Sequence, residues 1–171
     1  IKKGIPVITA RQIDNVMSIL NNVAIEKETK IIFPQSTKTI ETTFDHTYFK
    51  IGENDYKIPL LGSHQTQNAS LAIAAARYCD SNITKTIIKR GLSRVKWAGR
   101  LHCISKGIFY DVAHNQAGLE YLFKTIEKLF PDRNLQGLLC LKGGKDIKNI
   151  AKQLQNRFKK LFVSCDRNGF L

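Results

Sequence analysis

Three short blocks of polar side chains interrupt an otherwise apolar pattern, and each stands where a strand is predicted to end or a helix to begin. They are Gly62-Ser63-His64-Gln65-Thr66-Gln67-Asn68-Ala69, Trp97-Ala98-Gly99-Arg100 and Asp111-Val112-Ala113-His114-Asn115. Side chains at such positions are presented to ligands in open α/β folds. The three blocks therefore contain the candidate site residues.

In the first block, His64, Gln65 and Asn68 stand in the loop and first turn of a predicted Ala-rich helix from Gln67 to Cys79. The first N–H groups of a helix have no intrahelical partner, and amide side chains can pair with the edge of a planar heterocycle. The block therefore suits a heterocyclic ligand. The alternative is simple helix capping by Ser63 or Thr66.

The other two blocks carry charge. Arg100 has a planar guanidinium that suits a phosphate, a ribose or a carboxylate, although an arginine taken alone is more often a surface ion-pair residue. Asp111 follows a predicted buried strand, with His114 and Asn115 in the loop and helix start behind it. That position is the usual ligand crevice of a parallel sheet. The alternative is an aspartate that caps the next helix beside a structural histidine.

Hydrophobic periodicity predicts the elements that position these blocks. Up to residue 58 the pattern gives a short buried strand at 4–9, an amphipathic helix through Ile13, Val16, Met17, Leu20 and Ala24, a strand at 30–33 and a hairpin over 44–58. The Ala-rich helix follows and is expected to pack through Ala69, Ala72, Ala75 and Ala76. A second helix is predicted from Asn82 to Gly91, with Ser81 or Asn82 as its cap, and 93–99 is interpreted as a linker or hinge.

From Arg100 onward strands and helices alternate. A hairpin turns at Lys106-Gly107, and a helix presents Leu119, Leu122, Phe123, Ile126 and Leu129. A buried strand at 138–141 and a further strand at 161–163 flank a helix with Ile147, Ile150, Ala151 and Leu154 on one face. This order is typical of an α/β fold with a mostly parallel, Rossmann-like sheet.

The net charge of +13 favours anionic partners such as nucleotide phosphates, a polyanionic small substrate or nucleic acid. The alternative is a solvated basic surface. The aromatic residues are mostly set among apolar neighbours and do not alternate with Lys and Arg, which weakens a nucleic-acid-binding reading. The four cysteines are widely spaced and are interpreted as reduced core residues, and no metal ligands are expected.

The three blocks together, in this order and at these spacings, resemble the folylpolyglutamate synthase/dihydrofolate synthase branch of the Mur ligase superfamily. The matching residues are Gly62, His64, Gln65, Asn68, Ala69, Trp97, Gly99, Arg100, Asp111, Ala113, His114 and Asn115. The opening Gly4-Ile5-Pro6-Val7-Ile8-Thr9 is similar to the strand that follows the nucleotide-binding core of that family. The resemblance thus covers essentially the whole chain.

This resemblance implies an ATP-dependent ligase that activates a folate or dihydropteroate carboxylate as an acyl phosphate, which the amine of L-glutamate attacks. It implies ATP contacts by Asn68, Arg100 and Asp111, with His64 and Gln65 beside them, and places His114 and Asp111 at the reacting groups. Val112 stands where the family has glycine. The segment Lys142-Gly143-Gly144-Lys145-Asp146 only partly resembles the Gly-x-x-x-Asp-Lys-Asp motif of the family, because Gly144 stands in place of the first aspartate.

The resemblance further implies an ATPase-domain end over 1–95 and the beginning of a glutamate-ligase domain over 96–171. The chain contains no GxxxxGK[ST] phosphate loop, so the phosphate cradle and the Mg²⁺ ligands are expected upstream. We expect a truncated, cytoplasmic, monomeric piece that is inactive alone, with no membrane partner. A noncatalytic relic or split-gene product is the alternative, and the pattern does not separate dihydrofolate from folylpolyglutamate synthesis.

Overall fold

The computed structural model describes residues 1–131, 134–140 and 147–164. The predicted loop with Lys145 and Asp146 lies outside these residues. The chain forms two compact units. The first comprises 1–59 and 63–96, and the second comprises 60–62 and the described residues from Trp97 onward.

The first unit begins with a β-α-β arrangement. Strands β1 (Val7–Ile8) and β2 (Ile31–Ile32) pair in parallel, with Val7 opposite Ile31, and helix α1 (Asp14–Glu26) connects them. The predicted strand, helix and strand are thus confirmed. Both strands are half-buried, and Ala24 is the buried residue of α1. The apolar face predicted for α1 is wrong at Ile13, which precedes the helix and is 73% exposed, and at Val16, which is 38% exposed.

A three-stranded antiparallel sheet follows, in the order β3 (Lys38–Thr42), β4 (Thr47–Ile51) and β5 (Asn54–Ile58). The predicted hairpin over 44–58 is confirmed as β4 and β5, whereas β3 was not predicted. Phe49 and Ile58 are 0% and 2% exposed, and the Phe49 and Tyr56 rings stack with centroids 5.6 Å apart. These side chains form the core of the first unit.

Helices α2 (Ser63–Cys79) and α3 (Lys85–Ser93) complete the first unit. Helix α2 begins at Ser63 and not at the predicted Gln67. Its buried residues include Ala69, Ser70 and Ile73. The expected packing through alanines is wrong at Ala72 and Ala75, which are exposed, whereas Ala76 is half-buried.

The predicted start and stop of the second helix are wrong as well. Asn82 donates its N–H to Asp80 Oδ1 in the preceding turn at 2.9 Å, and Thr84 is the N-cap of α3, with its side chain accepting from the Ile87 N–H at 3.3 Å. A threonine hydroxyl in this place satisfies one of the free N–H groups of the first turn. Gly91 lies inside the helix, which continues to Ser93.

The second unit opens with an antiparallel hairpin of β6 (His102–Ser105) and β7 (Ile108–Tyr110), which turns at Lys106-Gly107 as predicted. Gly107 has φ +81°, a conformation that glycine adopts without steric cost. Strand β7 is mostly exposed, which corrects the prediction of a buried strand before Asp111. Its pairing with β6 is antiparallel, so Asp111 does not follow a strand of the parallel pair.

Helix α4 (Gln116–Leu129), strand β8 (Gln136–Cys140), helix α5 (Ile147–Leu154) and strand β9 (Lys160–Ser164) follow. Strands β8 and β9 pair in parallel, with Leu138 opposite Phe162. The core cluster contains Leu119, Phe123, Ile150 and Leu154, as the helical periodicity predicted. The α/β class is confirmed, and parallel pairing occurs in both units.

Two further burial predictions are wrong. Leu138 is 76% exposed, so β8 is not the buried strand that was predicted. Phe162 on the paired strand β9 is also exposed, at 55%. Cys79, Cys103 and Cys140 are free, as expected, but all three are exposed and do not belong to a core; Cys165 lies outside the described residues. No helix in the described part of the chain is long and apolar enough to cross a membrane.

Candidate functional site

The polar residues of the first block form a hydrogen-bonded chain on the first turns of α2. The side-chain amide nitrogen of Gln65 lies 2.9 Å from His64 Nε2, and Asn68 Nδ2 donates to Gln65 Oε1 at 3.1 Å. Gln65 is 4% exposed and Asn68 is exposed. The structure therefore joins the three predicted site residues of this block, with a buried glutamine between a half-buried histidine and a solvent-facing amide.

Two further polar residues fix the start of α2 to the loop after β2. Thr66 Oγ1 donates to the Ser63 carbonyl at 2.8 Å and lies 2.8 Å from Thr37 Oγ1. Because the single hydroxyl proton of Thr66 is used at Ser63, the Thr37 hydroxyl must donate to Thr66. Ser70 Oγ donates to the Gln35 carbonyl at 2.6 Å. Sequence reasoning missed these partners, since no local pattern links residues so far apart along the chain.

The second block forms a sharp turn in the second unit. Gly99 has φ +76° and Leu101 has φ +46°, so a left-handed residue stands on each side of Arg100. A Cβ atom at Gly99 would lie 2.7 Å from Val112 Cγ1, which makes glycine necessary on steric grounds as well. Leu101 is 5% exposed and anchors the turn, whereas Arg100 is exposed. Within the described residues, Arg100 has no hydrogen bond or ion pair.

The third block is tied to the second through the backbone. The Val112 N–H donates to the Gly99 carbonyl at 3.0 Å. The Leu101 N–H donates to Asp111 Oδ2 at 2.6 Å, and the Ala113 N–H donates to Asp111 Oδ1 at 2.7 Å. The two blocks, ten residues apart, are therefore a single structural unit held by the Asp111 carboxylate.

His114 and Asn115 complete this arrangement. His114 Nδ1 lies 2.9 Å from the Val112 carbonyl, and because a carbonyl only accepts, Nδ1 carries the proton and a neutral ring presents Nε2 as an acceptor. Asn115 is the N-cap of α4, with Oδ1 accepting from the Gly118 N–H at 2.8 Å. The helix cap is thus Asn115, and the alternative in which Asp111 caps α4 is wrong.

The side chains of the second and third blocks can provide positive charge and hydrogen bonds to a ligand. Arg100 can neutralise an anionic oxygen, and His114 Nε2 can accept a hydrogen bond or a proton. Among the described residues, no group of three or more His, Cys, Asp or Glu side chains is placed to hold a metal ion. The His64 block belongs to the first unit, and Arg100, Asp111 and His114 belong to the second.

No protein-family model matches the chain. A dihydrofolate synthase/folylpolyglutamate synthase of Bacillus subtilis (strain 168) is 27% identical in an alignment of 172 positions, which covers 91% of this chain and 39% of the relative. The corresponding Mycobacterium tuberculosis (strain ATCC 25618 / H37Rv) protein is 31% identical in an alignment of 118 positions, which covers 65% of this chain and 24% of the relative.

A comparison with solved structures also finds a folylpolyglutamate synthase. Mycobacterium tuberculosis folylpolyglutamate synthase complexed with ADP and AMPPCP matches with a TM-score of 0.85 and 25% identity, over 97% of this chain and 40% of that chain. The chain spans about two-fifths of the length of this protein and of the Bacillus subtilis relative. The resemblance carried by the three motifs is confirmed: over nearly its whole length the chain is similar to folylpolyglutamate and dihydrofolate synthases, and the match covers a C-terminal part of these enzymes.

Proposed function

We propose that the chain supplies the C-terminal part of the nucleotide and glutamate site of an ATP-dependent ligase, which joins L-glutamate to the carboxylate of a folate or dihydropteroate through an acyl phosphate. The observation that carries this proposal is the likeness, at a TM-score of 0.85 over 97% of the chain, to an enzyme solved with ADP and AMPPCP. The reacting groups of such a ligase are anionic, and the net charge of +13 suits them.

The residue roles follow from the chemistry of each side chain. Asn68, whose amide is oriented by Gln65 and His64, is the proposed contact for the nucleotide base. Arg100 is the proposed contact for a phosphate group, because an exposed guanidinium without a partner among the described residues can approach an anionic oxygen in a bidentate manner. His114 Nε2 is proposed to lie near the reacting phosphate or the incoming amine.

The remaining parts of the reaction need residues that this chain does not supply. Phosphoryl transfer depends on a phosphate cradle and on Mg²⁺, and the sequence contains no phosphate loop. We therefore expect no turnover from these 171 residues by themselves. The two compact units support a division into the end of an ATPase domain over 1–95 and the beginning of a ligase domain over 96–171. A cytoplasmic monomer remains our expectation.

Calorimetry with AMPPCP, in the presence and absence of Mg²⁺, tests the proposal on this chain. The Arg100→Ala variant should weaken binding by roughly tenfold to a hundredfold, because a hydrogen bond to a charged group contributes about 1.5–3 kcal/mol. The matched control is Arg94→Ala, which removes the same charge from another exposed arginine in the same stretch of chain. Equal effects of the two variants would contradict a specific phosphate contact.

The same titration separates a nucleotide site from a general affinity for polyanions. Random-sequence DNA should bind weakly, and its binding should disappear as salt screens the charges. Tight DNA binding that survives moderate salt, together with no AMPPCP binding, would favour the nucleic-acid-binding alternative.

A further inference from the structure

Three side chains at the start of α2 form a hydrogen-bonded network that runs in one direction. Gln65 Nε2 lies 2.9 Å from His64 Nε2, and Asn68 Nδ2 donates to Gln65 Oε1 at 3.1 Å. An amide nitrogen only donates and an amide oxygen only accepts. His64 therefore accepts from Gln65, Gln65 accepts from Asn68, and the orientation of each amide is set by its neighbour.

Helix geometry and burial hold this direction in place. Gln65 and Asn68 are three residues apart, so their side chains meet on one face of the helix. Gln65 is 4% exposed, and a buried polar group that loses its partner costs free energy. Turning the Asn68 amide over would set its oxygen against Gln65 Oε1, where two acceptors repel each other. Reversing the whole network would require both amides to turn and the His64 proton to move from Nδ1 to Nε2.

The last member of the network is exposed and can meet a ligand. Asn68 uses one Nδ2 proton at Gln65, so its amide still has a second proton to donate and Oδ1 to accept. An asparagine amide with these groups can form two hydrogen bonds with the edge of adenine, accepting from the 6-amino group and donating to N7. Guanine carries acceptors at both positions, O6 and N7, so its O6 would oppose the Asn68 oxygen.

We propose that Gln65 is a positioning residue that sets base selectivity, because it holds the Asn68 amide in the orientation that accepts adenine and rejects guanine. His64 Nε2 in turn holds Gln65. The inference rests on the proposed function, since it takes Asn68 as the contact for the nucleotide base. ADP and AMPPCP, the nucleotides bound to the solved Mycobacterium tuberculosis enzyme, both carry adenine.

The ratio of the affinities for AMPPCP and for GMPPCP, its guanine counterpart, tests this role by calorimetry. Loss of structure weakens the binding of both nucleotides alike, whereas loss of the amide orientation changes the ratio. The unmodified chain should prefer AMPPCP by roughly tenfold to a hundredfold, which is the discrimination expected of one bidentate base contact. Equal affinities for the two nucleotides would overturn the proposal.

Two substitutions of Gln65 separate the orienting hydrogen bond from the volume of the side chain. Gln65→Met keeps the length of the side chain but cannot orient Asn68, so the preference for AMPPCP should fall by about fivefold or more. Gln65→Glu keeps an acceptor for the Asn68 amide and should retain the preference, even where both affinities drop. The matched control is Gln67→Met, at an exposed position of the same helix, which should leave the ratio unchanged. An unchanged ratio in Gln65→Met would contradict the positioning role.

A double-mutant cycle tests whether Gln65 acts through Asn68. Asn68→Ala removes the amide that contacts the base and should bring the affinity ratio close to one. Adding Gln65→Met to Asn68→Ala should then change the ratio no further. A double variant whose ratio differs from that of Asn68→Ala would show that Gln65 selects the base by another route, which would overturn the proposal.

NMR of the imidazole nitrogens tests the direction of the network without any nucleotide or substitution. While the His64 ring is neutral, the nitrogen chemical shifts should show a protonated Nδ1 and an unprotonated Nε2. A neutral ring protonated at Nε2 would mean that the network runs in reverse and would overturn the proposal, even if the Gln65 variants failed to fold. The expected tautomer without any AMPPCP binding would overturn the proposed nucleotide site together with the base-selecting role, whereas equal binding of AMPPCP and GMPPCP would overturn the base-selecting role alone.

Discussion

The side-chain amide nitrogen of Gln65 lies 2.9 Å from Nε2 of His64. Because an amide nitrogen only donates, His64 Nε2 must accept, and the neutral ring carries its proton on Nδ1. Gln65 in turn accepts from Asn68 at 3.1 Å. The buried glutamine therefore fixes the tautomer of one predicted site residue and the orientation of another.

Gln65→Glu should destabilise the first unit. The carboxylate cannot donate to His64, and at 4% exposure it leaves water without regaining the lost hydrogen bond, which costs about 1–3 kcal/mol. Urea unfolding followed by circular dichroism measures the change. Gln67→Glu is the control, since Gln67 is exposed on the same helix and should change stability by less than about 0.5 kcal/mol. Similar losses in both variants would show that the hydrogen-bonded chain contributes nothing.

Gly99→Ala should be more destabilising than Gly107→Ala. Both glycines have positive φ, +76° and +81°, so each alanine carries the left-handed penalty of about 1–2 kcal/mol. Only at Gly99 does the added Cβ also collide, at 2.7 Å from Val112 Cγ1, whereas nothing lies within 4 Å at Gly107. Urea midpoints of the two variants give the difference.

The collision can be tested separately by removing its other partner. Adding Val112→Ala to Gly99→Ala deletes the Cγ1 atom and should recover most of the extra loss. A Gly99→Ala variant no less stable than Gly107→Ala would contradict the close packing of the two blocks.

Asn115→Ala should lower the stability of the second unit by about 1 kcal/mol, the usual contribution of an N-cap. The side chain accepts from the Gly118 N–H at 2.8 Å, and alanine leaves that donor without a partner. Asn115→Asp keeps the acceptor and should unfold close to the unmodified chain. The measurement is thermal unfolding of the unmodified chain and of both variants. If the alanine variant were as stable as the aspartate variant, the Asn115 cap would not contribute to the stability of α4.

The exposed thiols should react in the folded chain. Cys79, Cys103 and Cys140 are free and exposed, so Ellman's reagent should modify all three without denaturant when Cys165 is replaced by serine. Each further Cys→Ser substitution should remove one equivalent. If the thiols reacted only after urea was added, they would be buried, as their apolar neighbours in the sequence had suggested.

Much of the fold was predictable because its signals are local. The hairpin at Lys106-Gly107 needs a residue that accepts positive φ, and the face of α4 repeats apolar residues at helical spacing. The start of α2 was placed too late because His64, Gln65 and Thr66 have the composition of a loop. They are helical because Thr66 and Ser70 find partners at Thr37 and Gln35, and such distant partners leave no local pattern.

The motif pattern selected the candidate site residues, but it did not reveal the hydrogen bonds that connect them. The motif pattern selected Arg100 and Asp111, yet nothing in the sequence links the aspartate to the Leu101 N–H. Leucine rarely adopts a left-handed conformation, so its φ of +46° could not be foreseen. Burial of β8 was mispredicted because Leu138 and Leu139 adjoin in sequence but face opposite sides of the sheet, with Leu138 76% exposed.

Trp97 is the only tryptophan of the chain and is 65% exposed. It opens the turn that Gly99, Arg100 and Leu101 complete, so the single indole fluorophore sits three residues from the proposed phosphate contact. Excitation at the red edge of the indole band, which avoids tyrosine and adenine absorption, would report on this turn alone. The protein thus carries its own optical probe, and ordering of the turn by a ligand can be followed in real time without any label.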